Sequence, residues 1–268
     1  MRESSNACKY YLDYLRISPF SHALWRALEA QAIEDIELSA PRIDIGCGFG
    51  EFAGVFCKEM IEIGIDTSKA DLALAASSEK YGRLLVADAR DLPFQDNSFN
   101  SALSISVLEH IVGAEYVFKE VFRILKPGGI FVCTVNSATL QDELVLPAFL
   151  RAIGLYSLAR AYFDLFCFVF KIESLYNAGE WVEYARSAGF HISRVSGTIT
   201  RMQLLLYELG LPTALITRLS KYLVGRRLPF ESFLRIKILG SLTPRLLNLA
   251  VDAKLTDANI LIVAEKPS

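Results

Sequence analysis

Ile43-Asp44-Ile45-Gly46-Cys47-Gly48-Phe49-Gly50-Glu51 is the stretch that decides how this chain folds. A short apolar run gives way to three alternating glycines and then to a stretch of helical period, the sequence form of a strand turning through a tight loop into a helix. The glycines let backbone pass close to a ligand, and the helix behind them presents N–H groups without intrahelical partners. A dinucleotide loop of the form Gly-x-Gly-x-x-Gly would need its third glycine at position 51, where Glu51 stands. A carboxylate at a helix start repels a pyrophosphate, which argues against a dinucleotide.

Outward from this loop, short apolar runs alternate with amphipathic stretches from Arg42 to Ala138, the pattern of βαβ units and a mostly parallel sheet. Strands are expected at Arg42–Ile45, Ile61–Asp66, Arg83–Ala87, Phe99–Ser106 and Gly129–Val135, and later at Phe190–Thr200 and Asn259–Glu265. Helices are expected at Glu51–Met60, Ser68–Lys80, Ala114–Leu125 and Glu180–Ala188. Lys126-Pro127-Gly128-Gly129 reads as a reversing turn. Cys8–Ile36 reads as two helical pieces broken at Ser18-Pro19, with Ser18 or Ser21 as cap. The regular pattern fails over Asn136–Gly179 and Arg201–Asp257, far beyond ordinary connection lengths, so two helical insertions are expected. The expected units are an N-terminal helical cap (1–39), a core (40–138), an apolar helical lid (139–179), a core helix and strand (180–200), a basic apolar helical insertion (201–257) and a final core strand (258–268).

Asp66 closes the second strand, placed to accept from a ribose diol, and Asp88 follows the third, placed to accept from an adenine amine. A cationic ligand with ribose and adenine but no phosphate suits all these acids, and S-adenosylmethionine is such a ligand. Asp44 to Gly50, Gly64-Ile65-Asp66, Asp88-Ala89-Arg90-Asp91-Leu92-Pro93-Phe94, Ser98-Phe99, Leu108-Glu109-His110 and Leu125 to Gly129 resemble, in order and spacing, the class I S-adenosylmethionine-dependent methyltransferases. The resemblance is to the branch that includes the quinone-biosynthesis (type 11) enzymes. It is strong over about residues 40–138 and weak over the Trp181–Phe190 helix and the last two strands.

The resemblance implies a Rossmann-like seven-stranded, mostly parallel α/β sheet with helices on both faces and helical insertions after strands five and six. It implies S-adenosylmethionine as cofactor, S-adenosylhomocysteine as product and no metal. By matched position Asp44, Gly46 and Gly48 would line the methionine part, with Cys47 and Gly50 in the same loop. Asp66 would hold the ribose, Thr67 stands at the position that often carries an apolar contact to the adenine face, and Asp88 and Ala89 would read adenine. Backbone at Ser104 to Val107 would face the sulfonium.

Methyl transfer from a sulfonium is an in-line displacement, so positioning supplies much of the rate and a base is optional. His110 has two readings, a base for a hydroxyl acceptor or a packing and capping residue. His22 reads either as a lid residue reaching the acceptor or as a surface histidine. Tyr10, Tyr11 and Tyr14 either cover the cofactor through cation–π attraction or pack an amphipathic helix.

Apolar residues make up 52% of the 268 and charged ones 22%, enough for a buried core. A formal net charge of -2 gives no general attraction to nucleic acid phosphates. Five cysteines without a CxxC pair fit a reducing cytosol, and Met1 to Tyr14 lacks the apolar run of an export signal. Arg201 to Arg245 carries eight basic side chains against two acidic ones, interleaved with Leu, Ile and Phe, the composition of a helix lying on an anionic membrane surface or of a buried lid or homodimer face. The acceptor expected is hydrophobic or lipid-like, methylated on oxygen or carbon. A small soluble metabolite and a catalytically silent partner protein are the competing readings.

Overall fold

The computed structural model describes residues 6–224, 239–240 and 255–268. Two helices, α1 (Asn6–Ile17) and α2 (Phe20–Ala32), precede the sheet. The core continues through β1 (Arg42–Ile45), α3 (Glu51–Phe56), β2 (Ile61–Asp66), α4 (Lys69–Ala75), β3 (Tyr81–Val86), β4 (Phe99–Ile105), α5 (Ala114–Ile124) and β5 (Leu125–Asn136). Helices α6 (Leu140–Glu143), α7 (Val145–Ala152) and α8 (Tyr156–Phe170) form the first insertion, followed by α9 (Ala178–Ser187), β6 (His191–Thr200), α10 (Arg201–Val224) and β7 (Leu255–Glu265).

Among the described residues the strands form one seven-stranded sheet in the order β3-β2-β1-β4-β5-β7-β6. Strands β1 to β5 run parallel, and β7 runs antiparallel to both β5 and β6. Helices cover both faces, which is why the central strands are apolar on both sides. In β7, Ile260, Ile262 and Ala264 pack with α5 and α9, while Leu261 and Val263 pack on the opposite side with α2 and α8. Helix α5 presents Val117, Phe118, Val121 and Ile124 as its buried stripe. Helix α9 starts with a reciprocal cap: the Glu180 N–H donates to Asn177 Oδ1 (3.0 Å) and the Asn177 N–H to Glu180 Oε2 (2.7 Å).

Several boundaries differ from those expected. Lys126–Gly129 does not end a strand; it is a bulge inside β5, where Leu125 pairs with Phe99 and Ile130 with Ser101, so four residues stand opposite Asn100. Helix α3 stops at Phe56, short of Met60, and strands β3 and β7 begin earlier, at Tyr81 and Leu255. Neither Ser18 nor Ser21 caps α2, whose N-cap position is Pro19. The Ser18 hydroxyl instead donates to Glu51.

The first insertion buries Leu140, Leu144, Phe163 and Phe166 against α2 and α10 and leaves Phe149, Tyr156, Leu165 and Phe168 exposed. Helix α10 crosses α2 closely: a Cβ on Gly210 would stand 2.2 Å from Phe20 Cδ1. Among the described residues no helix is long and apolar enough to cross a membrane. Of the basic stretch, Arg226, Arg227, Arg235, Lys237 and Arg245 lie outside the described residues.

Candidate active site

The chain order of the strands reverses between β1 and β4, and the loops leaving these two strands meet at the carboxyl edge of the sheet. Gly46 and Gly48 both take positive φ, 71° and 54°. A Cβ at Gly46 would fall 2.4 Å from Val107 Cγ1, so only glycine lets the two loops touch, whereas a Cβ at Gly48 would meet nothing within 4 Å. Gly48 therefore faces open space. The Cys47 N–H donates to the Ile65 carbonyl (2.9 Å), binding the loop to β2.

The Gly48 N–H donates to Asp66 Oδ2 (2.9 Å) and the Ser68 N–H to Asp66 Oδ1 (2.8 Å), which leaves each carboxylate oxygen a lone pair for a further donor. Thr67, beside it, is exposed. Asp44 is 4% exposed and accepts from the Tyr81 hydroxyl (2.7 Å). Burial pushes its carboxyl up to about 6, with the Asp66 charge adding to that and Tyr81 and Arg26 opposing it. Burial likewise pushes the Cys47 thiol up. A loop with open space at Gly48 and two carboxylates, one of them raised by burial, suits a cation.

Three sequence-expected residues, Asp88, Tyr14 and Ser104, are paired or buried in the structure. Asp88 closes a fork with Arg90, whose Nη2 and Nε lie 2.7 and 3.0 Å from its oxygens, and these hydrogen bonds hold the Asp88 carboxyl below its ordinary value. Its neighbour Ala89 is buried. Tyr14 does not cover the loop: it is fully buried, stacks on Phe52 and donates to the Phe52 carbonyl (3.3 Å), because α1 lays that face on α3. The Ser104 side chain is buried inside β4, its hydroxyl without a partner among the described residues, and Ser106, two residues on, lines the cavity described below.

A cavity of about 550 Å3 lies against the loop, touching Phe49. One wall is aromatic: Trp25, Phe166, Phe170 and Tyr207, with the Trp25 and Tyr207 rings 4.8 Å apart and Phe166 and Phe170 4.6 Å apart. The other wall is polar and includes Ser18, His22, Arg26, Ser106, Glu109 and His110. Ser106 holds a left-handed φ of 51°, fixed by its N–H donating to the Thr134 carbonyl (3.0 Å) and its hydroxyl donating to Glu29. Glu29 is buried and also accepts from Thr134 Oγ1 (2.8 Å) and Arg26 Nη1 (2.9 Å). Arg26 Nη1 also donates to the Ile105 carbonyl (3.1 Å), so α2 is bolted across the ends of β4 and β5.

His22 and His110 both line this cavity. His22 Nε2 stands 2.7 Å from Glu51 Oε2, and His110 Nδ1 stands 2.9 Å from the Lys171 carbonyl. Burial raises the Glu51 carboxyl, but His22, Arg26 and Ser18 outweigh it, so the net shift is downward. Glu109 is fully buried; burial raises it, and its Oε2 has no hydrogen-bond partner among the described residues. Among the described residues no three His, Cys, Asp or Glu side chains gather as a metal-ligand set.

A family model described as a methyltransferase domain, type 11, matches residues 43–133, which include the glycine loop and the ends of β2, β3 and β4. The chain carries a class I S-adenosylmethionine-dependent methyltransferase domain. That domain is 32% identical over 120 residues to a tRNA (carboxymethyluridine(34)-5-O)-methyltransferase of Arabidopsis thaliana, covering 44% of this chain and 29% of the relative. It is 30% identical over 138 residues to a demethylmenaquinone methyltransferase of Bacillus cereus, covering 48% of this chain and 58% of the relative. The chain thus spans well under two thirds of either relative. Among solved structures, a methyltransferase of Thermotoga maritima, described as a possible histamine N-methyltransferase, superposes with a TM-score of 0.58 at 20% identity, over 92% of this chain and 91% of its own. A [4+2]-cyclase shares the fold with a TM-score of 0.56 at 20% identity, over 90% of this chain and 80% of its own. Both likenesses are of fold.

Reading the methyltransferase domain from sequence missed Glu51 as the partner of His22 and missed the Arg26, Glu29 and Ser106 network. The signal for Glu51 was its place after the third loop glycine, used only as an argument against pyrophosphate.

Proposed function

We propose that this chain transfers the methyl group of S-adenosylmethionine to an oxygen or carbon of a hydrophobic, lipid-like small molecule. The observation that carries the reading is the aromatic-walled cavity set directly against the glycine loop at Phe49. Asp44, Gly46, Cys47, Gly48 and Gly50 hold the methionine part, Asp66 the ribose with Thr67 beside it, and Asp88 with Ala89 the adenine. Bound there, the cofactor supplies an activated methyl group on a positively charged sulfur. The buried Asp44 carboxylate favours that charge, and the aromatic wall excludes water and sets the acceptor in line. The net charge of -2 offers no attraction to a tRNA backbone, which favours the small-molecule acceptor over the substrate class of the plant relative. Exposed Phe149, Tyr156 and Phe168, with Arg151 and Arg160 on the same helices, support peripheral contact with an anionic membrane where such acceptors dissolve.

Calorimetric titration with S-adenosylmethionine tests the cofactor half. Wild type is expected to bind, and Asp66→Ala to bind about 10- to 100-fold more weakly, the loss of charge-assisted hydrogen bonds to the ribose. No binding by wild type leaves a methyltransferase-like partner protein. Transfer of labelled methyl to a prenylated hydroquinone tests the acceptor half, and transfer only to water-soluble acceptors favours the small-metabolite reading.

A further inference from the structure

We infer that His22, oriented by Glu51, is the acceptor-side base of this site, and that the acceptor atom is a hydroxyl oxygen. The inference rests on the methyltransferase reading and narrows it from oxygen or carbon to oxygen.

Glu51 is 6% exposed, and its carboxylate can only accept, so the ring nitrogen 2.7 Å away, Nε2, carries the hydrogen between them. That fixes the tautomer and leaves the Nδ1 lone pair as the basic atom, with no hydrogen-bond partner among the described residues. His22 lines the cavity and is partly exposed to it. Glu51 follows Gly50 directly, so the pair ties the base to the loop that holds the cofactor. This is the arrangement in which a carboxylate orients an imidazole and stabilises its protonated form. His110 is held by a neutral carbonyl instead: its Nδ1–H points to the Lys171 oxygen and its Nε2 keeps a lone pair, but among the described residues no carboxylate is hydrogen-bonded to its ring.

In the step that follows, the acceptor hydroxyl gives its proton to His22 Nδ1 as its oxygen forms a bond to the methyl carbon. The electron pair of the breaking carbon–sulfur bond stays on sulfur, and the positive charge leaves the sulfonium and reappears on the imidazolium facing Glu51. Besides Glu51, the charged or titratable groups around the cavity are Arg26, Asp71, Glu109, His110, Lys171 and Tyr207. Glu51 is a positioning residue, and His22 is the one that meets the acceptor.

The probe is 4-nitrophenol, whose phenolate absorbs visible light, titrated against the full chain with S-adenosylhomocysteine present. Bound to wild type it is expected to ionise about one pH unit below the free probe, because the proton it loses leaves a cation beside it. His22→Gln keeps a side-chain N–H for Glu51 but has no basic nitrogen, and is expected to abolish the shift. Glu51→Gln is expected to remove most of it with little change in melting temperature. With S-adenosylmethionine, His22→Gln is expected to slow methylation of a 4-alkylphenol about 100-fold or more, and of the readily ionised nitrophenol less than tenfold. Equal losses on both phenols, or a shift that disappears in His110→Ala and persists in His22→Gln, would overturn the assignment. A wild type that binds S-adenosylmethionine yet neither ionises nor methylates either phenol refutes the hydroxyl base and leaves the methyltransferase reading standing. A wild type that binds neither S-adenosylmethionine nor S-adenosylhomocysteine refutes both.

Discussion

Replacing Asp44 with Asn tests whether the loop stores a carboxylate for a cation. In the folded chain Asp44 is held up to about 6 against an ordinary 3.8. A raised carboxyl means the folded state binds protons more tightly than the unfolded one, so stability falls as pH rises from the lower value through the higher. At 1.36 kcal/mol per pKa unit the accumulated penalty above pH 6 is about 3 kcal/mol, or about 5 °C in melting temperature for a chain of this length. Asp44→Asn retains an acceptor for Tyr81 and has no proton to lose, so its melting temperature should lack that decline between pH 4 and pH 8. A cation binding beside Asp44 needs it ionised. Calorimetry on wild type should therefore show S-adenosylmethionine affinity about tenfold weaker at pH 5 than at pH 7.5. The variant should bind weakly and equally at both. A variant that binds as tightly as wild type, with the same pH dependence, would falsify the placing of positive charge against Asp44.

Three further outcomes are expected. Gly46→Ala forces a side chain into Val107 and a strained positive φ, and should cost several kcal/mol in urea unfolding or abolish S-adenosylmethionine binding; full stability with full binding would contradict the contact between the β1 and β4 loops. Arg26→Met leaves Glu29 buried without its cation and should destabilise by about 3 kcal/mol, whereas a change under about 0.5 kcal/mol in denaturant melts would show the pair to be idle. Sedimentation with anionic vesicles should capture the chain at low salt and release it at high salt. Absence of any salt-sensitive capture removes the membrane reading.

The glycine loop, the parallel strands and α5 were legible in the sequence because each is written locally, as an apolar run or a 3.6-residue stripe. Asp66 was legible for the same reason, standing where a strand stops. Interactions closed by distant chain were not. Glu51 and His22 are 29 residues apart and meet only because α2 lies across the sheet edge. Glu29 and Thr134, 105 residues apart, meet for the same reason. Asp88 was legible as a carboxylate just past a strand, but its ion pair with Arg90, two residues on, was not. Ser104 and Ser106 share the same strand parity, and the left-handed turn that brings Ser106 to the edge depends on Thr134 of the neighbouring strand. The amphipathic α1 allowed its tyrosines to face either cofactor or core, and contact with Phe52 decided for the core.

The position of β7 has a consequence for biosynthesis. In the described sheet, residues 255–265 fill the gap between strands β5 and β6, so a growing chain carries two unpaired strand margins until those residues emerge from the ribosome. Any truncation before Leu255 leaves both margins open to a neighbouring nascent chain, and a shortened product should accumulate as aggregate even though the entire glycine loop has already been made.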